Sequence, residues 1–106
     1  MKDNKSDCGA LFITPSRWLW KNEVERPWIS TQPLGLAYIA AAVRQAGFPT
    51  QVIDAYSLGL PAAEIRARIK DFRPRVVGIS AMTPQWPDAE IVAGIVKSVD
   101  PGILTV

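Results

Sequence analysis

Apolar residues gather along this chain in short runs of two kinds. "ALFIT" (residues 10–14), "TQVIDA" (50–55), "RVVGIS" (75–80) and "ILTV" (103–106) are brief and rich in β-branched or aromatic residues, as buried strands are. Between them lie longer stretches with helical signals. "PLGLAYIAAAVRQAG" begins with Pro33, suited to a helix N-terminus, and stops at Gly47; it is apolar nearly all round. An amphipathic helix is expected from about Ala62 to Phe72, preceded by a turn at "YSLGLP" and closed by Pro74, which cannot continue the hydrogen-bond ladder. A third helix is predicted after Pro87, with Asp88 and Glu90 complementing the dipole of its first turn. Its stripe would be Ile91, Val92, Ile95, Val96 and Val99, and Asp100-Pro101-Gly102 would end it.

Strands alternating with helices over short connections argue for right-handed crossovers and a parallel sheet covered on both faces. The expected fold is therefore α/β, a three-layer, flavodoxin-like (Rossmann-like) parallel sheet with strand order 2-1-3-4. Residues 1–9 are polar and form a loose N-terminus; residues 10–106 form the α/β domain. The fourth apolar run breaks off inside a strand, so the domain is expected to be truncated before a fifth strand and to belong to a longer protein. Residues 103–106 would then present a sheet edge open to self-association.

Composition narrows the function classes. With 106 residues, 48% of them hydrophobic, there is material for one core. The formal charge of +2 comes from 12 basic and 10 acidic residues without a long single-sign block, so no nucleic-acid partner is expected. Arg66, Arg68, Lys70, Arg73 and Arg75 are interrupted by Ile65, Ile69 and Phe72 at helical spacing and read as a solvated helix face. No signal-peptide pattern or apolar run of membrane length occurs, and the single Cys8 forms no internal disulfide, so the default setting is cytoplasmic, without a membrane. With one cysteine and no histidine, the chain cannot by itself assemble a zinc site or a cysteine-ligated iron–sulfur cluster.

In an open α/β sheet, ligands gather at the carboxyl ends of the strands where strand order reverses. For the order 2-1-3-4 that point lies between the first and third strands, flanked by the loops after Thr14 and after Ile79. The first loop is long and carries Trp18, Trp20 and Trp28; the second, Ser80-Ala81-Met82-Thr83-Pro84-Gln85-Trp86-Pro87, has no charged group. A dinucleotide would need a glycine-rich turn after the first strand, which is absent. A phosphorylated receiver would need acidic residues there and an aspartate ending the third strand. A flavin mononucleotide would call for a short Ser/Thr/Gly phosphate loop. What remains is a broad uncharged floor rimmed with hydroxyls, suited to a large ligand held by shape and a few hydrogen bonds.

"PLGLAYIAAAVRQAG", "VIDAYSLGL" and "RVVGISAMTPQ", in this order and spacing, resemble the N-terminal cobalamin-binding (B12-binding) domain of cobalamin-dependent radical S-adenosylmethionine enzymes. The resemblance covers roughly residues 10–106. It implies a corrin ring lying across the carboxyl ends of the strands and a nucleotide tail running down beside the sheet. Ser80 and Thr83 match positions expected to hydrogen-bond cobalamin, with Ala81 and Met82 between them and Ala81 small enough for close approach. Pro33, Leu34 and Gly35 match the start of the first helix, where a glycine permits backbone approach, and Asp54 is a candidate for a ligand amide. Ser80 and Thr83 could instead satisfy turn backbone groups, and Asp54 could cap the "YSLG" turn.

The family pattern is departed from in one respect: the Asp-x-His-x-x-Gly loop that supplies a lower axial histidine in other cobalamin folds is missing. The resemblance thus implies cobalamin bound base-off without a histidine ligand, presented to a C-terminal radical barrel holding S-adenosylmethionine and a 4Fe-4S cluster outside this chain. That parent would perform radical methyl transfer or anaerobic oxidative cyclisation, and this part alone would catalyse nothing. The alternatives are a degenerate domain acting only as a scaffold or docking surface, and a stand-alone small-molecule sensor.

Overall fold

The computed structural model describes residues 9–17, 19, 34–80 and 86–106, and the elements within them follow the apolar runs. In chain order they are β1 (Ala10–Thr14), α1 (Leu34–Gln45), β2 (Thr50–Asp54), α2 (Ala55–Leu58), α3 (Ala62–Phe72), β3 (Val76–Ile79), α4 (Trp86–Val99) and β4 (Leu104–Thr105). The strands form one parallel sheet in the order β2-β1-β3-β4. This is the flavodoxin-like order expected from the alternation, with its reversal at β1.

Side chains alternate across a strand, so β1 divides its apolar residues between two layers. Leu11 and Ile13 are fully buried in the larger core with Val77 of β3, Ile65 and Ile69 of α3, and Val92 and Val96 of α4. Each such side chain contributes roughly 1.5–3 kcal/mol through burial. Ala10 and Phe12 face the other way, onto Leu36 and Ala40 of α1. Helix α1 therefore covers one face, and α3 and α4 cover the other.

The elements depart from the sequence reading at several points, two of them for a clear local reason. The turn at "YSLG" is a helical turn, α2, because the Asp54 carboxylate accepts from the Ser57 N–H at 3.2 Å and so satisfies a donor that a helix start leaves orphaned. Gly59 ends it with φ 64°, a left-handed conformation that suits glycine. Helix α4 begins at Trp86 rather than after Pro87; the first-turn N–H groups have no intrahelical acceptor, so a proline there costs no hydrogen bond. Ile91, assigned to the buried stripe of α4, is 37% exposed, and Asp88 and Ala89 are buried instead, so the stripe is rotated toward the helix N-terminus.

Helix α3 ends at Phe72 as expected. Arg73 adopts φ 54° and its N–H still reaches Ile69 O at 3.0 Å; with Pro74 next, right-handed helix is disfavoured at Arg73. Of the basic residues near this end, Arg68 pairs with Glu64, Arg66 reaches Ser98, and Arg68, Lys70, Arg73 and Arg75 are solvent-exposed. This is the solvated face expected of them.

Gly78 is required by its neighbour. A Cβ there would sit 2.7 Å from Cδ1 of Phe12, inside any normal contact, because the ring lies over the glycine on the α1 side. Gly78→Ala is expected to lower stability by about 1–3 kcal/mol through overpacking, measured by urea unfolding. In a Phe12→Leu background the same substitution should cost less, since the ring it collides with is gone.

Candidate functional site

Because β1 is paired in parallel with both neighbours, the ends of three strands meet at one edge. The register aligns Thr14 with Asp54 across β1 and β2, and Ile13 with Ile79 across β1 and β3. Ser80 follows Ile79 directly, and its N–H donates to Ile13 O at 3.0 Å, extending the ladder by one residue. Thr14, Asp54 and Ser80 thus share the carboxyl edge where the strand order reverses, the location at which open α/β sheets hold ligands.

Their hydrogen bonds separate inner from outer roles. Thr14 Oγ1 donates to Asp54 Oδ1 at 2.7 Å, the oxygen that also caps α2. Asp54 is therefore engaged by the protein whatever else it contacts. Ser16, fully buried, donates from its hydroxyl to Leu60 O at 2.5 Å and fastens the turn after β1 to the α2–α3 connection. Leu19 joins the larger core on the same side. Ser80 is exposed at the edge.

The other sequence-assigned positions are less fully placed. Gly35 lies in the first turn of α1, exposed, and among the described residues no atom from outside its own stretch of helix comes within 4 Å of where a Cβ would be. Leu34 begins α1. Pro33, Ala81, Met82 and Thr83 lie outside the described residues, as do Trp18, Trp20 and Trp28. Trp86 is 62% exposed at the start of α4.

Two clefts lie along the sheet, one near the carboxyl edge and one nearer the amino ends of the strands. One of about 230 Å³ lies on the α4 side between Ile79, Trp86, Ala89, Ala93, Thr105 and Val106. A larger one, about 490 Å³, lies on the α1 side against Ala10, Phe12, Val43, Phe48, Val76 and Leu104. Its lining is mainly apolar, with Arg75 at its margin. It lies toward the amino ends of β1, β3 and β4, away from the carboxyl edge. Among the described residues there is no group of three or more His, Cys, Asp or Glu side chains able to hold a metal ion, and no helix long and apolar enough to cross a membrane.

Sequence reasoning did not assign Thr14 or Ser16 to the site. The register that sets Thr14 opposite Asp54 is visible only in the paired strands, since the sequence run containing Asp54 extends to Ala55.

The fold defines an open α/β domain with its ligand edge between β1 and β3. The family model described as the B12 binding domain matches residues 30–106, and the chain belongs to that family. Curated relatives include an uncharacterised methyltransferase of Pyrococcus horikoshii, 39% identical over 70% of this chain and 16% of its own length. The anaerobic magnesium-protoporphyrin IX monomethyl ester cyclase of Rubrivivax gelatinosus is 32% identical over 92% of this chain and 17% of its own. The cytidylyl-2-hydroxyethylphosphonate methyltransferase of Streptomyces wedmorensis is 30% identical, covering 74% of this chain and 17% of its own. The chain spans about a sixth of the length of these relatives. No solved structure matches.

Replacing Ser16 by Ala removes the donor to Leu60 O inside a dry contact. The variant is expected to lose about 1–3 kcal/mol of stability in urea or thermal unfolding, the usual cost of leaving a buried carbonyl unpaired.

Proposed function

We propose that this domain binds cobalamin base-off, without a histidine ligand, and presents it to a radical S-adenosylmethionine barrel with a 4Fe-4S cluster elsewhere in a longer protein. The observation that carries the reading is the carboxyl edge itself: Thr14 and Ser80 stand at the order reversal of a B12-binding domain whose 106 residues contain no histidine. An imidazole from this chain cannot reach the cobalt, so the lower face would meet apolar or weakly polar side chains, which tune a metal through its surroundings.

The residues described are compatible with such a ligand. The ring would rest across the ends of β1 and β3, with Ser80 and Thr83 as hydrogen-bonding hydroxyls and Ala81 and Met82 between them. Pro33, Leu34 and Gly35 would approach it from the start of α1, where none of the described residues outside the helix crowds Gly35. Asp54 would face a ligand amide. The apolar cleft of about 490 Å³ beside α1 would take the nucleotide tail. When bound, cobalamin supplies one-carbon transfer or one-electron chemistry; the chain's own residues would position it and limit access of water.

The longer protein would carry out radical methyl transfer or anaerobic oxidative cyclisation, a reading supported by relatives named as methyltransferases and as a cyclase. Downstream sequence should then contain a Cys-x-x-x-Cys-x-x-Cys motif. Leu104 and Val106, 60% and 77% exposed at the outer strand, would also support self-association through residues 103–106.

A second reading is a scaffold that keeps the fold and binds no cofactor. One observation favours it: Phe12 already lies over Gly78 and occupies part of the α1-side trough.

Titration with hydroxocobalamin, followed by the visible spectrum and by gel filtration, separates the two. Retained cofactor is expected, and Ser80→Trp should abolish retention with the circular dichroism spectrum unchanged. The reduced cobalt(II) form should show no nitrogen splitting in its electron paramagnetic resonance spectrum. No retention would leave only the scaffold, and nitrogen splitting would remove the base-off assignment.

A further inference from the structure

Thr14 carries one proton and two lone pairs on its hydroxyl, and the described residues use only the proton. Both partners of Oγ1 are acceptors: Asp54 Oδ1 at 2.7 Å and, more weakly, Ile53 O at 3.5 Å. An ionised carboxylate only accepts, so the polarity of the Thr14–Asp54 bond is set: threonine donates. No donor among the described residues is directed at the Thr14 lone pairs, although the side chain is only half-buried and lies at the ligand edge. Asp54 is arranged similarly. Its Oδ1 accepts from Thr14 and from the Ser57 N–H, while Oδ2 has no partner among the described residues.

The edge between β1 and β2 therefore ends in two acceptors held in one bonded pair. We infer that Thr14, oriented by Asp54, is a specificity-determining acceptor that takes the N–H groups of a neutral primary carboxamide on the bound ligand. A carboxamide offers two N–H donors, matching two neighbouring acceptors. A carboxylate or phosphate offers none and would be repelled by Asp54. Donation to a charged acceptor also polarises the hydroxyl, which strengthens it as an acceptor in turn.

This inference rests on the cobalamin reading, since the corrin periphery is studded with neutral carboxamides, and it adds a residue, a polarity and a selection rule to that reading. It requires no electron or group transfer.

The test compares hydroxocobalamin with its monocarboxylic acid isomers, in each of which one peripheral carboxamide has become a carboxylate, on wild type, Thr14→Ser, Thr14→Val and Asp54→Asn. Wild type and Thr14→Ser should bind hydroxocobalamin alike, and both should reject one particular acid isomer by tenfold or more. Thr14→Val should bind hydroxocobalamin about 3- to 10-fold more weakly, the effect of one lost hydrogen bond, and discriminate less against that isomer. Asp54→Asn keeps an acceptor for Thr14 and Ser57 but can turn a donor outward, so its preference should shift toward the acid. This variant decides the matter if Thr14→Val does not fold, which circular dichroism will reveal.

Equal affinity of folded Thr14→Val and wild type for hydroxocobalamin, or an unchanged acid-to-amide ratio in Asp54→Asn, overturns this inference alone. Failure of wild type to bind hydroxocobalamin overturns it together with the cobalamin reading.

Discussion

The constraint on which the rest depends is the double pairing of β1. It is bonded in parallel to β2 on one side and β3 on the other, with Leu11 and Ile13 fully buried between layers. A parallel neighbour can be reached only by a crossover, and crossovers are right-handed. The connection from β1 to β2 runs one way across the sheet, whereas those from β2 to β3 and from β3 to β4 run the other way, so right-handed crossovers place α1 on one face and α3 and α4 on the other. The gap between the two sets of connections then opens at the carboxyl end of β1. Thr14, Asp54 and Ser80 are neighbours for this reason, although the first and last are far apart in sequence.

The two faces so created are unequal. The α3–α4 side holds most of the buried large side chains, from Leu11 to Ile103. The α1 side is built on Ala10, Phe12, Leu36 and Ala40, and its helix leaves Tyr38 and Ile39 exposed at 77% and 53%. Stability on this scaffold therefore resides mainly on one side, and the thinner layer is the side with the larger cleft. A domain that must admit a bulky ligand gains from this division, because the cleft can lie against a face the fold does not rely on for most of its burial. The Phe12–Gly78 contact is the exception, a close fit within the thin layer, and it ties the shape of that cleft to two residues in adjacent strands.

Most of this architecture was legible in the residue pattern because it rests on strong, local signals. "ALFIT" and the 62–72 helix fall at their observed bounds, and the strand order follows from alternation and handedness. Boundaries moved where a side-chain hydrogen bond or an unneeded N–H decided the matter, as at Asp54 and at Trp86-Pro87, since hydropathy does not register either effect. The carboxyl edge was legible as a place, the ends of the first and third strands, and Ser80 and Asp54 do stand on that edge. Thr14 and Ser16 were not legible, because their roles depend on partners 40 and 44 residues away, and only strand register reveals them. At Gly35, assigned a close approach to a ligand, the described residues make no such approach themselves.

Magnitudes say how such an edge could work. A neutral hydrogen bond contributes about 0.5–1.5 kcal/mol net, so a few hydroxyls cannot alone hold a large ligand tightly. Apolar burial at about 25 cal/mol per Å² is the larger source, and it is available along the trough beside α1 and at Trp86. Burial, however, does not distinguish one large apolar-faced ligand from another. Discrimination has to come from polar groups whose misuse is costly: an acceptor facing an acceptor loses its hydration and, next to a carboxylate, incurs repulsion. The Thr14–Asp54 pair is of this kind, because the Thr14 proton is directed at Asp54 and, among the described residues, no donor meets the Thr14 lone pairs. Affinity would then depend on the open face, and selectivity on the direction in which a single hydroxyl proton points.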